Sequence, residues 1–396
     1  MDLDAFRWLL TDPGQQLLVR ATEVYDALPG DPVRAATTLR REEPDPSRAA
    51  AALTQADLRR RAEAKFGAEA ARMYFTPDAL EQATRPRVAA HRAARLAAAS
   101  VGSVVDLGCG LGSDLLAFAA AGLTAAGVDR DPVRVAVAEA NLAALGLPGA
   151  VQVADATTLD LAGFGAVFAD PARRSARGRV FDAEGWAPPW TFIGSLFARA
   201  SVVKAAPGLP HEMVPDGVEA EWVSESGEVK EVALWSTYLA TCRRRATVIA
   251  SVGLATLTDA DDPYTGAERP VRGVGGFLYE PNGAVIRARL VTAVAAGVEG
   301  GLLDEHIAYV TSDQAFRTPF ARAYAVREVL PYRERALRAA LHERGIGRLT
   351  IKKRGVNVVP EQLRTRLDLR GDNEATLVLT RVAGHGLALL VDPLAG

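Results

Sequence analysis

The segment VVDLGCGLGSD, residues 104–114, constrains the fold of this chain more than any other stretch. An apolar run the length of a buried strand carries Asp106 near its end. Glycines follow at 108, 110 and 112, and a helical apolar pattern begins at once. Glycines let the backbone approach a ligand closely, and the helix N-terminus behind them offers unpaired N–H groups. Strand, glycine loop and helix in that order predict a parallel α/β sheet with helices on both faces.

The pattern continues downstream. The helix GSDLLAFAAAG (112–122) ends on Gly122, a residue suited to the C′ position. LTAAGVD (123–129) reads as a second strand, PVRVAVAEANLAALG (132–146) as a helix, and AVQVAD (150–155) and GAVFAD (165–170) as strands three and four. SVVKAAPG (201–208) is a fifth, and EAEWVS and ATVIASV add two more. The glycine spacing is GxGxG, with Ser113 where a dinucleotide fingerprint has its third glycine. Asp106, ahead of the glycines, would repel a pyrophosphate but suits a cationic amino-acid group. Asp129, 21 residues after Gly108 and followed by Arg130, is placed for a ribose diol. Asp155 and Ala156, at the end of strand three, are placed for an adenine amino group. An ammonium, a ribose and an adenine are together the recognition elements of S-adenosylmethionine (SAM).

On these residues the stretch over roughly 100–210 resembles the class I SAM-dependent methyltransferases, which are Rossmann-like α/β enzymes. The resemblance implies that Gly108, Gly110 and Gly112 pack against the methionyl part of SAM and that Asp106 and Asp114 meet its ammonium. It also places Phe75, Thr76, Gln82 and Thr84 near the methionyl end, with a structural lead-in helix as the alternative. One long helix is expected over 73–99 before the first strand.

VFADPARRSARGRVF, residues 167–181, ends the fourth strand in Asp170-Pro171 and then adds four arginines. Alone it reads equally as a turn and a solvated loop. Class I enzymes that methylate exocyclic amines carry an acid or amide, two prolines and an aromatic here. Their acidic oxygen and first proline carbonyl accept the target N–H groups and aim the nitrogen lone pair. Asp170 and Pro171 match that motif; Ala172 and Arg173 depart from it. Base stacking would then fall to a guanidinium or to Trp186 or Trp190 of WAPPW, with core packing the alternative for these tryptophans, and Arg173 and Arg174 are candidate phosphate contacts. The same stretch is similar to the DPPR of RNA uracil C5-methyltransferases, which need a nucleophilic cysteine. Cys242, the one downstream thiol, lacks that motif, so carbon methylation is the lesser reading. Lys204, at the end of strand five, is a substrate candidate or a surface lysine.

Residues 1–73 look helical, punctuated by Asp12-Pro13, Asp31-Pro32 and Asp45-Pro46, with Thr54 to Asp57 read as a capping box. The methyltransferase domain is expected over 74–255, a small α+β segment over 256–320 and a last α+β domain over 321–396. DLGCGLGSD, GVDRDP, FADPARR, KAAPG, GFLYEPNGAVIRA, GRLTIKKRGV and GDNEATLVLTRV together resemble one bacterial family. That family joins an N-terminal helical part, a SAM domain akin to trimethylguanosine synthase, a ferredoxin-like segment and a C-terminal THUMP-like domain. THUMP domains bind RNA, so the resemblance implies an RNA partner, tRNA or rRNA. Charge agrees: net charge is −2 overall, yet residues 321–396 hold 14 basic against 8 acidic side chains. Lys352, Lys353 and Arg354 are the candidate RNA contacts there.

Two widely spaced cysteines outside any CxxC argue against a zinc site or disulfide framework, and no metal is expected. The acidic start, MDLDAFRWLLTDPG, lacks the basic region of a signal peptide, and no apolar run approaches the ~20 residues of a membrane span. A cytoplasmic protein without a membrane partner is expected. The sequence thus predicts a SAM-dependent methyltransferase acting on an RNA base nitrogen, guanine N2-type favoured, with Asp170 and Pro171 catalytic. A non-catalytic SAM-retaining RNA-binding protein, a small-molecule methyltransferase and a nicotinamide oxidoreductase are the rivals.

Overall fold

The computed structural model describes residues 2–173, 186–264 and 270–394. Two compact units divide the chain, one of residues 1–205 with 234–240, the other of residues 206–233 with 241–396.

The first unit opens with helices α1 (Leu3–Leu9), α2 (Asp12–Ala27), α3 (Pro32–Leu39) and α4 (Pro46–Phe66). Their starts follow capping chemistry: Asp2, Thr11, Asp31 and Asp45 each accept a hydrogen bond from a first-turn N–H. The Thr54–Asp57 box does not open a helix. It lies inside α4, where Asp57 instead accepts the Tyr25 hydroxyl at 2.5 Å. The single helix expected over 73–99 is also corrected. α5 (Pro77–Gln82) and α6 (Pro86–Ala98) are separate, because Pro86 disfavours helical geometry at Arg85. The break delivers Thr84 to the cleft described below.

The sheet of this unit contains β1 (Ser103–Leu107), β2 (Thr124–Asp129), β3 (Ala150–Val153) and β4 (Ala166–Ala169). α7 (Ser113–Ala120) joins β1 to β2, and α8 (Pro132–Leu145) joins β2 to β3. A two-residue ladder follows, with β5 (Ala172–Arg173) antiparallel to β6 (Trp186–Ala187). After α9 (Trp190–Leu196), β7 (Ser201–Ala205) pairs parallel with β4. β4 pairs with β1, β1 with β2 and β2 with β3, all parallel. The chain leaves β1 on one side and returns at β4 on the other. Such a reversal opens a crevice at the carboxyl ends of the strands. β1 and β4 are buried nearly throughout, as central parallel strands must be.

The second unit contains β8 (Glu219–Glu225), most of β9 (Glu228–Trp235), β10 (Arg244–Ala250) and β11 (Gly253–Thr258). β10 pairs parallel with β8 and antiparallel with β11. β12 (Phe277–Pro281), α10 (Gly283–Arg287), α11 (Val291–Gly297), β13 (Gly301–Asp304) and β14 (Ile307–Ser312) follow. β15 (Ala321–Pro331), α12 (Glu334–Glu343), β16 (Ile346–Lys353), α13 (Pro360–Leu367), β17 (Asn373–Val382) and β18 (His385–Pro393) complete it. Seven of these strands form one sheet in the order β13-β14-β12-β15-β18-β17-β16. The strands of 256–320 and those of 321–396 therefore share a sheet, joined where β12 runs antiparallel to β15. Leu337 and Leu341 of α12 and Leu363 and Leu367 of α13 pack on Leu349, Leu377, Leu379 and Leu390. No helix among the described residues is long and apolar enough to cross a membrane.

Candidate active site

A cleft of about 400 Å³ lies at the carboxyl ends of β1, β2 and β4. The glycine loop forms its floor. Gly108, Gly110 and Gly112 have φ of +90°, +59° and +91°, a conformation that side chains disfavour. The amides of Gly108 and Cys109 both donate to the Val128 carbonyl, at 2.8 and 3.0 Å, which folds the loop back onto β2. Gly127 makes room for this. A Cβ there would lie 3.0 Å from Cys109 Cβ and Sγ and from Leu115 Cδ2. Gly127→Ala is therefore expected to cost ~1–3 kcal/mol of stability by overpacking, read by denaturant unfolding. An unchanged midpoint would show that the loop has slack.

Asp106 is the unusual group of the cleft. It is 2 % exposed, and its Oδ1 has no hydrogen-bond partner among the described residues. Burial first, and then the nearby Asp170, push its pKa up to about 8. A buried carboxylate without a partner is costly. Asp129 is differently placed: it accepts the Gly110 amide at 3.1 Å and the Asp131 amide at 2.9 Å. Asp155 accepts from Arg130 at 2.6 Å and from the Thr157 amide and hydroxyl, and the Arg130 guanidinium leads in lowering its pKa to about 2.

Behind the cleft wall a chain of polar contacts runs from α6 to β4. Arg92, 1 % exposed, lies 4.5 Å from the Phe168 ring centroid and donates to Asp114 Oδ1. Thr84 donates to Asp114 Oδ2 at 2.6 Å and accepts from Lys204 Nζ at 3.1 Å. Lys204 Nζ also pairs with Asp170 Oδ2 at 2.6 Å.

The donor set fits S-adenosylmethionine. Asp106 Oδ1 has no hydrogen-bond partner among the described residues, and an α-ammonium would supply one. The glycine loop leaves space over its backbone, and Asp129, Asp155 and Ala156 line the cleft in the order expected for ribose and adenine.

Most of the residues expected from the sequence meet here. Asp106, Gly108, Gly110, Asp114, Asp129, Arg130, Asp155, Ala156, Gln82, Thr84 and Asp170 line the cleft. Several do not. Phe75 is a fully buried core residue packed 5.5 Å from Phe66, and Thr76 caps α5 by accepting the Ala79 amide. Neither lines the cleft, whose wall on this side begins at Ala79. Gly112 lies beside the cleft lining; a Cβ would stand 3.4 Å from Ala138 Cβ, so its close approach is to α8. Asp114 reaches the cleft with both oxygens already engaged, by Arg92 and by Thr84. Lys204 holds Asp170 and lies outside the cleft lining.

Pro171 is buried, Arg173 is the register partner of Trp186 in the two-residue ladder, and Arg174 lies outside the described residues. Trp190 begins α9 outside the lining, and Pro188 forms that part of the wall. In the second unit Lys352 pairs with Glu280 at 2.7 Å, and Arg354 lies over the Tyr309 ring at 5.2 Å, whereas Lys353 is exposed.

Sequence reasoning missed Arg92, Lys65 and Asn141. Arg92 had a signal: it occupies an apolar-stripe position of α6 with Val88, Ala89, Ala93 and Leu96. Asn141, fully buried on α8, accepts the Tyr74 amide and donates to the carbonyls of Tyr74 and Leu111. It ties the glycine loop to the segment before α5, and nothing local marked it.

Comparison with known proteins agrees with this geometry. Residues 104–173 match the Methyltransferase domain family, residues 321–393 the THUMP domain-like family, and residues 2–62 a domain of unknown function, DUF8688. The chain is 38% identical over 350 residues to the uncharacterized S-adenosylmethionine-dependent methyltransferase Rv3037c of Mycobacterium tuberculosis (strain ATCC 25618 / H37Rv), covering 84% of this chain and 92% of that one. The corresponding protein of strain CDC 1551 / Oshkosh matches equally. A crystal structure of a Porphyromonas gingivalis W83 protein classed as a methyltransferase has a TM-score of 0.71 at 21% identity, covering 96% of this chain and 99% of that one. The chain belongs to the S-adenosylmethionine-dependent methyltransferases that carry a C-terminal THUMP-like domain.

Proposed function

We propose that this methyltransferase acts on a nitrogen of an RNA base, an exocyclic amine of the guanine N2 type being favoured. The observation that carries the reading is Asp170, which follows β4 at the cleft that also holds Asp106. Bound S-adenosylmethionine supplies an electrophilic methyl group on a sulfonium. Asp106 holds the ammonium, Asp129 the ribose, and Asp155 with Ala156 the adenine. Lys204 fixes one oxygen of Asp170, so the carboxylate presents a set orientation. Asp170 then accepts an N–H of the target amine and aims its lone pair, with the Pro171 carbonyl as the second acceptor. In the transfer the nitrogen would gain a bond to the methyl carbon as that carbon's bond to sulfur breaks, the electron pair staying on sulfur as a neutral thioether, and the nitrogen would lose a proton to the Asp170 carboxylate or to water.

The RNA part is supported by the THUMP domain-like match over 321–393 and by the local excess of basic side chains. Lys352 and Arg354 make internal contacts, so exposed Lys353, Arg333 and Arg335 are the better candidates for phosphate contact.

The test is labelled S-adenosylmethionine with RNA from a strain lacking the protein, followed by nucleoside analysis. A labelled N-methylated nucleoside is expected. Label confined to small molecules, or to a ring carbon, would overturn the assigned substrate.

A further inference from the structure

We propose that the N-terminal helical region is a working part of the cofactor site. α4 acts as a splint that sets the cleft wall at residues 79–84, with Lys65 as the positioning residue. Three side chains of α4 grip the main chain leading into that wall. Gln55, fully buried, donates to the Phe75 carbonyl at 2.7 Å and accepts the Phe75 amide at 3.0 Å. Arg59 donates to the Met73 carbonyl at 2.8 Å. Lys65 Nζ donates to the carbonyls of Leu80, Glu81 and Ala83, at 2.5, 3.1 and 3.0 Å. An ammonium has three protons, and three carbonyls receive them.

These carbonyls belong to the end of α5 and the turn after it. The last carbonyls of a helix have no partner within it and carry partial negative charge. α5 has six residues, too few to hold its own geometry in water. Its position is therefore set from outside, and Lys65 supplies that hold at the end nearest the cleft. Ala79, Gln82, Ala83 and Thr84 of this stretch all line the cleft. Thr84 continues the hold inward, through Asp114 and Lys204. A displacement of the Ala83 carbonyl thus moves both the methionyl side of the cleft and the contacts behind Asp170.

The experiment is Lys65→Met in the full chain, with S-adenosylmethionine affinity measured by calorimetry beside thermal unfolding. The Kd is expected to rise about tenfold while the melting temperature changes little, because Lys65 is only half-buried. Lys65→Arg, which keeps several donors, should restore most of the affinity. A Kd within about twofold of wild type overturns the proposal, whether or not the melting temperature falls. If Lys65→Met does not fold, Lys65→Gln, an amide with two donor protons, is held to the same criterion. Hydrogen exchange on the wild-type protein gives a check free of variants. S-adenosylmethionine should slow exchange over residues 79–84, and an unchanged rate there overturns the proposal as well.

Discussion

Replacing Asp106 by asparagine is expected to weaken S-adenosylmethionine binding by about 100-fold near neutral pH and, in the same protein, to raise the melting temperature of the free form. The two effects share one cause. Asp106 is buried, its Oδ1 has no hydrogen-bond partner among the described residues, and burial pushes its pKa up to about 8. The carboxyl of the free protein is therefore expected to hold a proton at neutral pH, which an arriving ammonium would displace. Affinity should rise as pH climbs toward 8, by up to about tenfold per unit, with one proton released. The rise ends where the ligand's own α-amino group loses its proton, near pH 8. Asparagine removes both the ion pair and this slope.

The stability sign runs the other way. In the unfolded chain the carboxyl ionises near pH 4, whereas in the folded chain it stays protonated up to about 8. Between those values the native state binds more protons, so stability falls as pH rises. Asparagine does not titrate. The variant should melt above wild type near pH 8, and the gap should close toward pH 4. Calorimetric titration in buffers of different ionisation enthalpy, with thermal scans across pH, measures both halves. Unchanged affinity would remove Asp106 from the ammonium site. A lower melting temperature near pH 8 would mean that its burial is not a cost.

How much of this was legible in the sequence depends on how local each signal was. Asp106, Asp129, Asp155 and Asp170 recur at successive strand ends, and a parallel sheet collects strand ends at one edge, so their meeting followed from chain order. The break at Ala83-Thr84-Arg85 was written in Pro86, yet the alanine-rich run 88–99 outweighed it in a reading by helical period. The contacts that hold Thr84 were not legible. Arg92, Asp114 and Lys204 are separated by 22 to 120 residues along the chain from the groups they bind. The same holds for the seven-stranded sheet of the second unit. The pairing of β12 with β15 depends on partners outside either strand's own sequence. Lys65 carried no mark at all, because a lysine near the end of a helix reads as solvated.

Asp170→Ala should abolish methyl transfer, by about 1,000-fold or more, and leave the S-adenosylmethionine Kd within about threefold of wild type. Affinity is held by two opposed terms. Asp170 raises the pKa of Asp106, so its removal lets Asp106 ionise more readily and favours the ammonium. It also removes a negative charge from the cleft, which disfavours a cationic ligand. Lys204 gives the decisive comparison. It touches Asp170 Oδ2 and Thr84 and does not line the cleft, so its loss should act through Asp170. Lys204→Met alone is expected to lower the turnover by about tenfold with little change in the KM for S-adenosylmethionine. In the double variant the Lys204 change should add nothing to Asp170→Ala, because the group it orients is gone. Multiplying losses would show that Lys204 has a role of its own toward the substrate. Collapse of cofactor binding in Asp170→Ala would place that carboxylate in the cofactor site and leave the amine without its orienting acceptor.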